Sequence, residues 1–181
     1  MGVVIGIISG KGGVGKTTVT ANLVSVLVKY FAKKVLVVDG NITTPNLGLH
    51  LGFINVDKTI INALRGEISI KDCIYAHPIG LHIIPSSLTD IFVEISNIRK
   101  LGEKLFLLKN FYDYIIIDGA ATVSSEVISI IRASDYIILV CIPERTSVIS
   151  MMIAKRVCNI LNKPIIGVVV NMVGRHKDEL K

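Results

Sequence analysis

Tryptophan is absent from this 181-residue chain, and cysteine, aromatic residues and charged residues are all scarce. Cys73, Cys141 and Cys158 are odd in number and form no C-x-x-C pair, which argues against a disulfide scaffold and a closed zinc site. Aromatic residues make up only 6% of the chain and do not alternate with basic ones, so no single-strand nucleic-acid surface is predicted. A reduced, cytoplasmic protein is the simplest interpretation.

Long apolar runs are also missing, although 51% of the residues are hydrophobic. The longest uninterrupted apolar runs are short, such as residues 136–142. A membrane span needs roughly 20 apolar residues. These runs are therefore typical of buried strands. The net charge of +6 is spread along the chain without a block of five like charges. This favours a solvated surface over a patch for nucleic acid or anionic lipid.

Predicted strands and helices alternate along the chain. Apolar, β-branched segments predict buried strands at residues 3–9, 35–39, 81–84, 114–118, 136–142 and 165–170. Helical spacing of apolar residues predicts helices at 17–32, 46–51, 59–66, 90–108, 125–133 and 147–161. This order predicts a three-layer α/β fold, with an open, mainly parallel sheet and helices on both faces. No repeat or linker interrupts it, so residues 1–181 are expected to form one domain.

Residues 10–17 (GKGGVGKT) match the phosphate-loop pattern G-x-x-x-x-G-K-[ST], between a predicted strand and a predicted helix. Its glycines allow successive backbone N–H groups to face phosphate oxygens, and the helix start adds a positive dipole end. Lys16 can reach the β- and γ-phosphates, and the Thr17 hydroxyl can ligate Mg²⁺. The predicted phosphate-binding residues are Gly10, Lys11, Gly12, Gly13, Val14, Gly15, Lys16, Thr17 and Thr18. The context disfavours the alternative of a chance glycine-rich turn.

A second lysine lies inside this loop. With Lys11 included, residues 11–18 (KGGVGKTT) resemble the deviant Walker A motif of the MinD/ParA family of P-loop ATPases, especially its archaeal MinD-like members. The resemblance covers residues 3–173 and implies the P-loop NTPase fold. It also implies that Lys11 reaches across a dimer to the partner's nucleotide, much like an arginine finger. A phosphate contact within its own subunit, or a solvated side chain, remains the alternative for Lys11.

The resemblance assigns further site residues downstream. It implies that Asp39 and Asn46 belong to switch I, and that Asp118 is the Walker B carboxylate that holds Mg²⁺ through its water shell. It also implies that Asn171 reads adenine, for which an amide is suited because it donates and accepts at once. A simple turn-forming role for Asn171 stays open. The implied catalytic residues are Lys11, Lys16, Asp39, Asn41 and Asp118, and the implied metal ligands are Thr17, Asp39 and Asp118.

Three departures from the family pattern affect these expectations. Asn41 stands where the family has a second switch I aspartate that orients the attacking water, so we expect slow hydrolysis. Residues 119–121 (GAA) replace a switch II segment that usually contains proline. The family's further C-terminal strand, loop and helix are expected to be missing from residues 1–181. Membrane anchoring through a C-terminal amphipathic helix, as in MinD, is therefore not supported, and a peripheral membrane location would require a longer form.

The resemblance implies an ATPase that converts ATP and water to ADP and phosphate, with ATP/ADP and Mg²⁺ bound. It implies a homodimer in the ATP state that recruits a protein of the division or positioning machinery. A non-catalytic or very slow ATP-binding regulator is one alternative, and a ParA-like DNA-partition ATPase is another. DNA binding is less favoured because the basic residues form no stripe. An iron–sulfur carrier is disfavoured because the cysteines lack ligand spacing.

Overall fold

A seven-stranded sheet forms the centre of the computed structural model, which describes residues 1–89 and 94–174. The strands lie in the order β3-β4-β2-β5-β1-β6-β7, and all neighbours are parallel except β3 and β4. The strands are β1 (Val3–Ile8), β2 (Val35–Asp39), β3 (Tyr75–Ala76), β4 (His82–Ile84), β5 (Tyr114–Asp118), β6 (Tyr136–Cys141) and β7 (Ile165–Val170). The predicted open, mainly parallel α/β fold is confirmed.

Helices cover both faces of the sheet. They are α1 (Lys16–Phe31), α2 (Leu47–His50), α3 (Ile60–Arg65), α4 (Ile95–Ile98), α5 (Leu101–Phe106), α6 (Ser125–Ala133) and α7 (Arg145–Ile160), with a 3₁₀ turn at Ile70–Cys73. Side chains alternate along β1, so that Val4 and Ile8 enter one core and Ile5 and Ile7 enter the other. Burial on both faces explains why the central strands are continuously apolar. Among the described residues, no helix combines the length and apolar character that a bilayer crossing requires.

The outer strand β7 differs from the predicted buried strand. Within the described part of the chain it pairs only with β6, and its side chains alternate between half-buried and exposed. Ile166, Val168 and Val170 are each about half exposed, at 54%, 49% and 50%. The sequence pattern alone does not distinguish an edge strand from a central one, because both are apolar and β-branched.

The predicted helix at 90–108 is also different. Residues 90–93 lie outside the described residues, and the rest forms two short helices, α4 and α5. Between them, the backbone N–H of Lys100 donates to the Asn97 carbonyl at 3.0 Å, and the Lys100 ammonium donates to the Asn97 side chain at 2.9 Å. The bond from the Lys100 N–H to the carbonyl three residues earlier is that of a turn, so the predicted continuous helix is wrong at this point.

Three loops meet at one edge of the sheet. Because β1, β2 and β5 are parallel neighbours, their carboxyl ends lie together, with Ile7 and Asp39 both in register with Asp118. Ligands of open α/β sheets bind at such an edge. The segments that follow these strands contain the phosphate-loop pattern, Asn41 and residues 119–121.

Candidate functional site

The segment between β1 and α1 encloses a cavity of about 380 Å³. Gly13 and Gly15 adopt positive φ angles of 76° and 81°, which glycine tolerates best. A Cβ on Gly15 would lie 2.3 Å from the Asn171 side-chain nitrogen, so a larger residue here would displace that side chain. The cavity is lined by Ser9, Lys11, Gly12, Gly13, Val14, Gly15, Lys16, Thr17, Thr18, Asn41, Thr44, Asn46, His50 and Ala121.

Helix α1 begins at this cavity without a cap. Gly15 occupies the N-cap position, no side chain accepts a hydrogen bond from the first turn, and that turn contains no acidic residue. The unpaired N–H groups and the dipole of the 16-residue helix therefore favour an anion. Lys16 adds a positive charge, being only 7% exposed with its Nζ 3.8 Å from Asp118 Oδ1. The uncapped helix start and the Lys16 ammonium together suit the negative charge of a bound polyphosphate.

Asp118 is held firmly at the end of β5. The Thr17 hydroxyl donates to its Oδ2 at 2.7 Å, and the Thr20 hydroxyl donates to its Oδ1 at 2.9 Å. Thr20 is fully buried and Asp118 is 1% exposed. The carboxylate is thus fixed beside the first turn of α1, as its predicted Walker B role requires.

Asp39 lies beside Asp118 at the end of β2 and is also 1% exposed. Burial, and then the negative charge of Asp118, raise the pKa of Asp39 from 3.8 to about 7. The backbone N–H groups of Leu47 and Asn41 donate to its two oxygens and oppose this rise. Two adjacent buried carboxylates repel each other, and a cation between them would relieve that repulsion.

The two carboxylates and the Thr17 hydroxyl suit Mg²⁺. They are hard oxygen donors, and this ion commonly binds one or two carboxylates while phosphates and water complete its octahedral shell. Within residues 1–89 and 94–174, no cluster of three or more His, Cys, Asp or Glu side chains could hold a metal ion. A magnesium ion here would therefore combine few protein ligands with oxygens from water and a bound phosphate.

The segment after β2 holds Asn41 through both ends of its amide. Its Nδ2 donates to the Thr44 carbonyl, while its Oδ1 accepts from the Thr44 hydroxyl at 3.1 Å and from the Thr44 N–H at 3.4 Å. Asn46 also donates to the Thr44 carbonyl, at 3.0 Å. Asn41 and Asn46 line the cavity, and both polar atoms of the Asn41 amide make hydrogen bonds to Thr44. Its role in orienting water stays a prediction.

Lys11 points to a helix rather than into the loop. Its Nζ donates to Glu144 Oε2 at 2.7 Å and to the Thr146 hydroxyl at 3.2 Å, at the start of α7. The Lys11 side chain is nevertheless 41% exposed. It lies at the cavity and remains accessible from outside the subunit.

Asn171 supports the loop from β7. Its Nδ2 donates to the Val14 carbonyl at 2.9 Å, and its backbone N–H donates to the Cys141 carbonyl at 2.8 Å. The side chain therefore helps to shape the loop, which the sequence did not indicate. Its predicted contact with adenine stays a prediction.

Sequence reasoning missed Glu126, Thr20 and Glu144. Glu126 lies in the first turn of α6, is only 8% exposed, and accepts a hydrogen bond from the Thr43 hydroxyl. A glutamate among small and apolar residues is a weak signal, and its partner is 83 positions away. Thr20 could have been suggested by its position one turn after the motif, whereas nothing near Lys11 in the sequence points to Glu144.

Comparison with known proteins agrees with this geometry. Residues 2–164 match the family described as AAA domain. The chain is 36% identical to an uncharacterised ATP-binding protein of Methanocaldococcus jannaschii, over 98% of this chain and 67% of that protein. It is 33% identical to the septum site-determining protein MinD of Thermotoga maritima, over 80% of this chain and 54% of MinD. The chain belongs to the MinD/ParA family of P-loop ATPases.

A solved member of the MinD/ParA family shows the same architecture. The structure of MinD from Pyrococcus horikoshii, complexed with Mg-ADP, has a TM-score of 0.89 and 35% identity. The alignment covers all of this chain and 74% of that one. The predicted family and P-loop NTPase fold are confirmed. The chain spans about two thirds of the M. jannaschii protein and about half of T. maritima MinD.

Proposed function

We propose that this chain is a slow ATPase that acts as a molecular switch. It binds ATP with Mg²⁺, pairs with a second copy, and in that state recruits a protein partner that determines a division site or another cellular position. The observation that carries this proposal is the arrangement of the two loop lysines. Lys16 is buried beside the helix start, whereas Lys11 is accessible and bound to α7.

ATP would occupy the cavity with its phosphates on the loop. The N–H groups of residues 12–17 and the Lys16 ammonium bind the β- and γ-phosphates. Thr17, Asp118 and Asp39 hold Mg²⁺, which supplies neutralising charge next to the phosphates. Asn46 contacts the nucleotide from switch I, and Asn171 contacts adenine in addition to supporting Val14.

Dimerisation would bring Lys11 to the partner's nucleotide. The Lys11–Glu144 pair is partly exposed, with Lys11 at 41% and Glu144 at 26%, and exposed pairs contribute little stability. A triphosphate on the partner subunit offers Lys11 a higher density of negative charge than one carboxylate. If Lys11 left Glu144 and bound the partner's triphosphate, this contact would stabilise the dimer only while the triphosphate persists. Hydrolysis would then allow the two subunits to separate.

Sizing in solution tests this switch. We expect the molecular mass from light scattering to double with ATP and Mg²⁺ but not with ADP. The Lys11→Ala variant should stay monomeric while binding ATP with unchanged affinity by calorimetry, and Lys33→Ala, at an exposed lysine, should dimerise normally. A wild-type chain that binds ATP yet remains monomeric would contradict the switch mechanism. A chain that binds no ATP would contradict the whole proposal.

A second candidate function is an ATP-binding regulator without turnover. The hydrogen bonds between the Asn41 amide and Thr44 favour it, because they compete with any bond from Asn41 to the attacking water. Single-turnover hydrolysis separates the two candidates. We expect the wild-type rate to be slow but above the buffer rate, and Asn41→Asp to increase it. Hydrolysis at the buffer rate in dimeric wild-type protein would favour the regulator.

A further inference from the structure

We infer that Glu126 is the base that accepts a proton from the water that attacks the γ-phosphate. This inference rests on the proposed ATPase function. It assigns the water-activating role to a side chain of α6 instead of the segment after β2, where Asn41 stands.

Glu126 lines a cavity next to the phosphate cavity. This second cavity of about 280 Å³ contains Glu126, Thr43 and Ser125 in its wall. Asn41, Thr44 and Ala121 line both this cavity and the phosphate cavity. The two spaces are therefore adjacent, which places the carboxylate on the side of the phosphate cavity where Asn41 stands.

Glu126 is the only carboxylate among the described residues that line these two cavities. P-loop hydrolysis requires a group that orients or deprotonates the attacking water. Asn41 is a neutral amide and cannot take the proton. Asp39 and Asp118 are 1% exposed and are placed for the metal ion. The imidazole of His50 is the one other candidate, and its Nδ1 is 2.9 Å from the Asn46 carbonyl.

The surroundings of Glu126 hold its carboxylate in place. The Thr43 hydroxyl donates to its Oε1, and no lysine or arginine in the described ranges forms an ion pair with it. The side chain lies in the first turn of the nine-residue helix α6. The carboxylate is thus oriented by a hydroxyl and is not engaged by a cationic side chain of the described residues.

The proposed step conserves atoms and charge. As the water oxygen bonds to the γ-phosphorus, one water proton moves to the Glu126 carboxylate. The bond from the γ-phosphorus to the bridging oxygen breaks, and its electron pair leaves with ADP. Glu126 then returns the proton to the inorganic phosphate or to solvent.

The near-isosteric Glu126→Gln variant tests this role. With wild-type protein that hydrolyses ATP, we expect its single-turnover rate to fall by about 100-fold, in the range for loss of a general base. ATP affinity and ATP-dependent dimerisation should stay unchanged in this variant. In the control Glu103→Gln, at an exposed position, the rate, the affinity and the dimerisation should all stay unchanged. An unchanged rate in Glu126→Gln overturns the inference, and so does a rate that is lost in His50→Gln but kept in Glu126→Gln.

Two rescue measurements separate catalysis from a structural role. Formate should partly restore hydrolysis in Glu126→Ala, because it supplies a carboxylate to the space left by the side chain. Asn41→Asp should restore hydrolysis in the Glu126→Gln background, because it supplies a carboxylate from a second position that lines the same cavity. A rate loss that neither change restores, accompanied by weaker ATP binding, assigns Glu126 to structure and overturns the inference. Wild-type protein that does not hydrolyse ATP at all contradicts the proposed ATPase function itself.

Discussion

The two sides of the candidate site, including the residues that lie behind the cavity lining, are built in different ways. On one side, the fixed wall (Lys16, Thr17, Thr20 and Asp118) is mostly buried, and both oxygens of its carboxylate accept hydroxyl hydrogen bonds. On the other side is the loop wall (Asp39, Asn41, Thr43, Thr44 and Glu126). In this wall, a buried amide and a buried acid form hydrogen bonds to exposed threonines. The fixed wall is organised before any ligand binds, whereas the loop wall depends on hydrogen bonds that water can replace.

The difference follows from the neighbours of each wall. The fixed wall is formed by β5 and the first turns of α1, which pack on the central strand β1. The loop wall consists mainly of residues 40–46 and the start of α6. Segments with solvent-accessible hydrogen bonds open at lower free energy than buried elements, and switch segments are drawn from them. The loop wall is therefore the part that we expect to respond to ATP.

The largest expected effect concerns Asp39, at the start of the loop wall. Its pKa is about 7 in the folded protein and near 3.8 in the unfolded chain. Asp39 therefore adds stability below about pH 4, and this contribution is lost as pH rises through 7. Without Mg²⁺, we expect the free energy of unfolding to fall between these pH values, relative to Asp39→Asn, by up to about 4 kcal/mol. Urea denaturation across pH measures it.

Two comparisons sharpen the Asp39 prediction. Addition of Mg²⁺ should reduce the pH dependence of the wild-type protein, since the cation favours the ionised carboxylate, and should leave Asp39→Asn unaffected. If the free energy of unfolding varies with pH in the same way for wild type and Asp39→Asn, the burial of Asp39 does not perturb its ionisation.

A smaller effect is expected from two glycines of the phosphate loop. Both have positive φ, but a Cβ on Gly13 would meet nothing within 4 Å, whereas one on Gly15 would meet Asn171 at 2.3 Å. Left-handed backbone costs about 1 kcal/mol for alanine, so Gly13→Ala should lose roughly that much stability. Gly15→Ala should lose about 3 kcal/mol, because the displaced Asn171 also loses its bond to Val14. Thermal and urea unfolding measure both.

The Asn171→Ala background provides the control for Gly15. If the collision with Asn171 causes the excess loss, Gly15→Ala and Gly13→Ala should have similar effects once that side chain is removed. An excess that persists in this background would show that the loop backbone alone disfavours alanine at position 15.

The smallest effect compares one substitution in the two walls. Thr20→Val removes a fully buried hydroxyl from Asp118 and should lower the free energy of unfolding by about 2 kcal/mol. Thr43→Val removes a hydroxyl from Glu126 at an exposed position, where water can take its place, and should lose about 0.5 kcal/mol or less. Equal losses, measured by urea denaturation, would remove the distinction between the walls.

Local signals in the sequence predicted most of the fold. The predicted bounds of β2, β5, β7 and α6 agree with the structure, because each apolar run ends at a polar residue, glycine or proline. The predicted helix at 59–66 is α3, which begins at a capping box of Thr59 and Asn62. The short strand β3 and the turn between α4 and α5 were not predicted. Strand β3 depends on pairing with β4, and the turn is closed by the backbone bond from Lys100 to Asn97.

The candidate site was predictable to the extent that it is contiguous in sequence. Residues 10–17 required only a strand before them and a helix after them. By contrast, the bonds from Lys11 to Glu144 and from Thr43 to Glu126 span 133 and 83 positions. No local pattern encodes such pairs, because they depend on where the sheet order places α6 and α7.

The sequence by itself determined the phosphate loop, the alternation of strands and helices, and the family, since these depend on neighbouring residues and their periodicity. Only the tertiary structure decided which side chains come together at the site: that Asp39 lies against Asp118, that Asn171 supports Val14, and that a carboxylate from α6 lies in the same cavity wall as Asn41. The physical reason is that the parallel sheet brings together strand ends that are far apart in the chain, and their mutual burial then sets charge and hydrogen bonding.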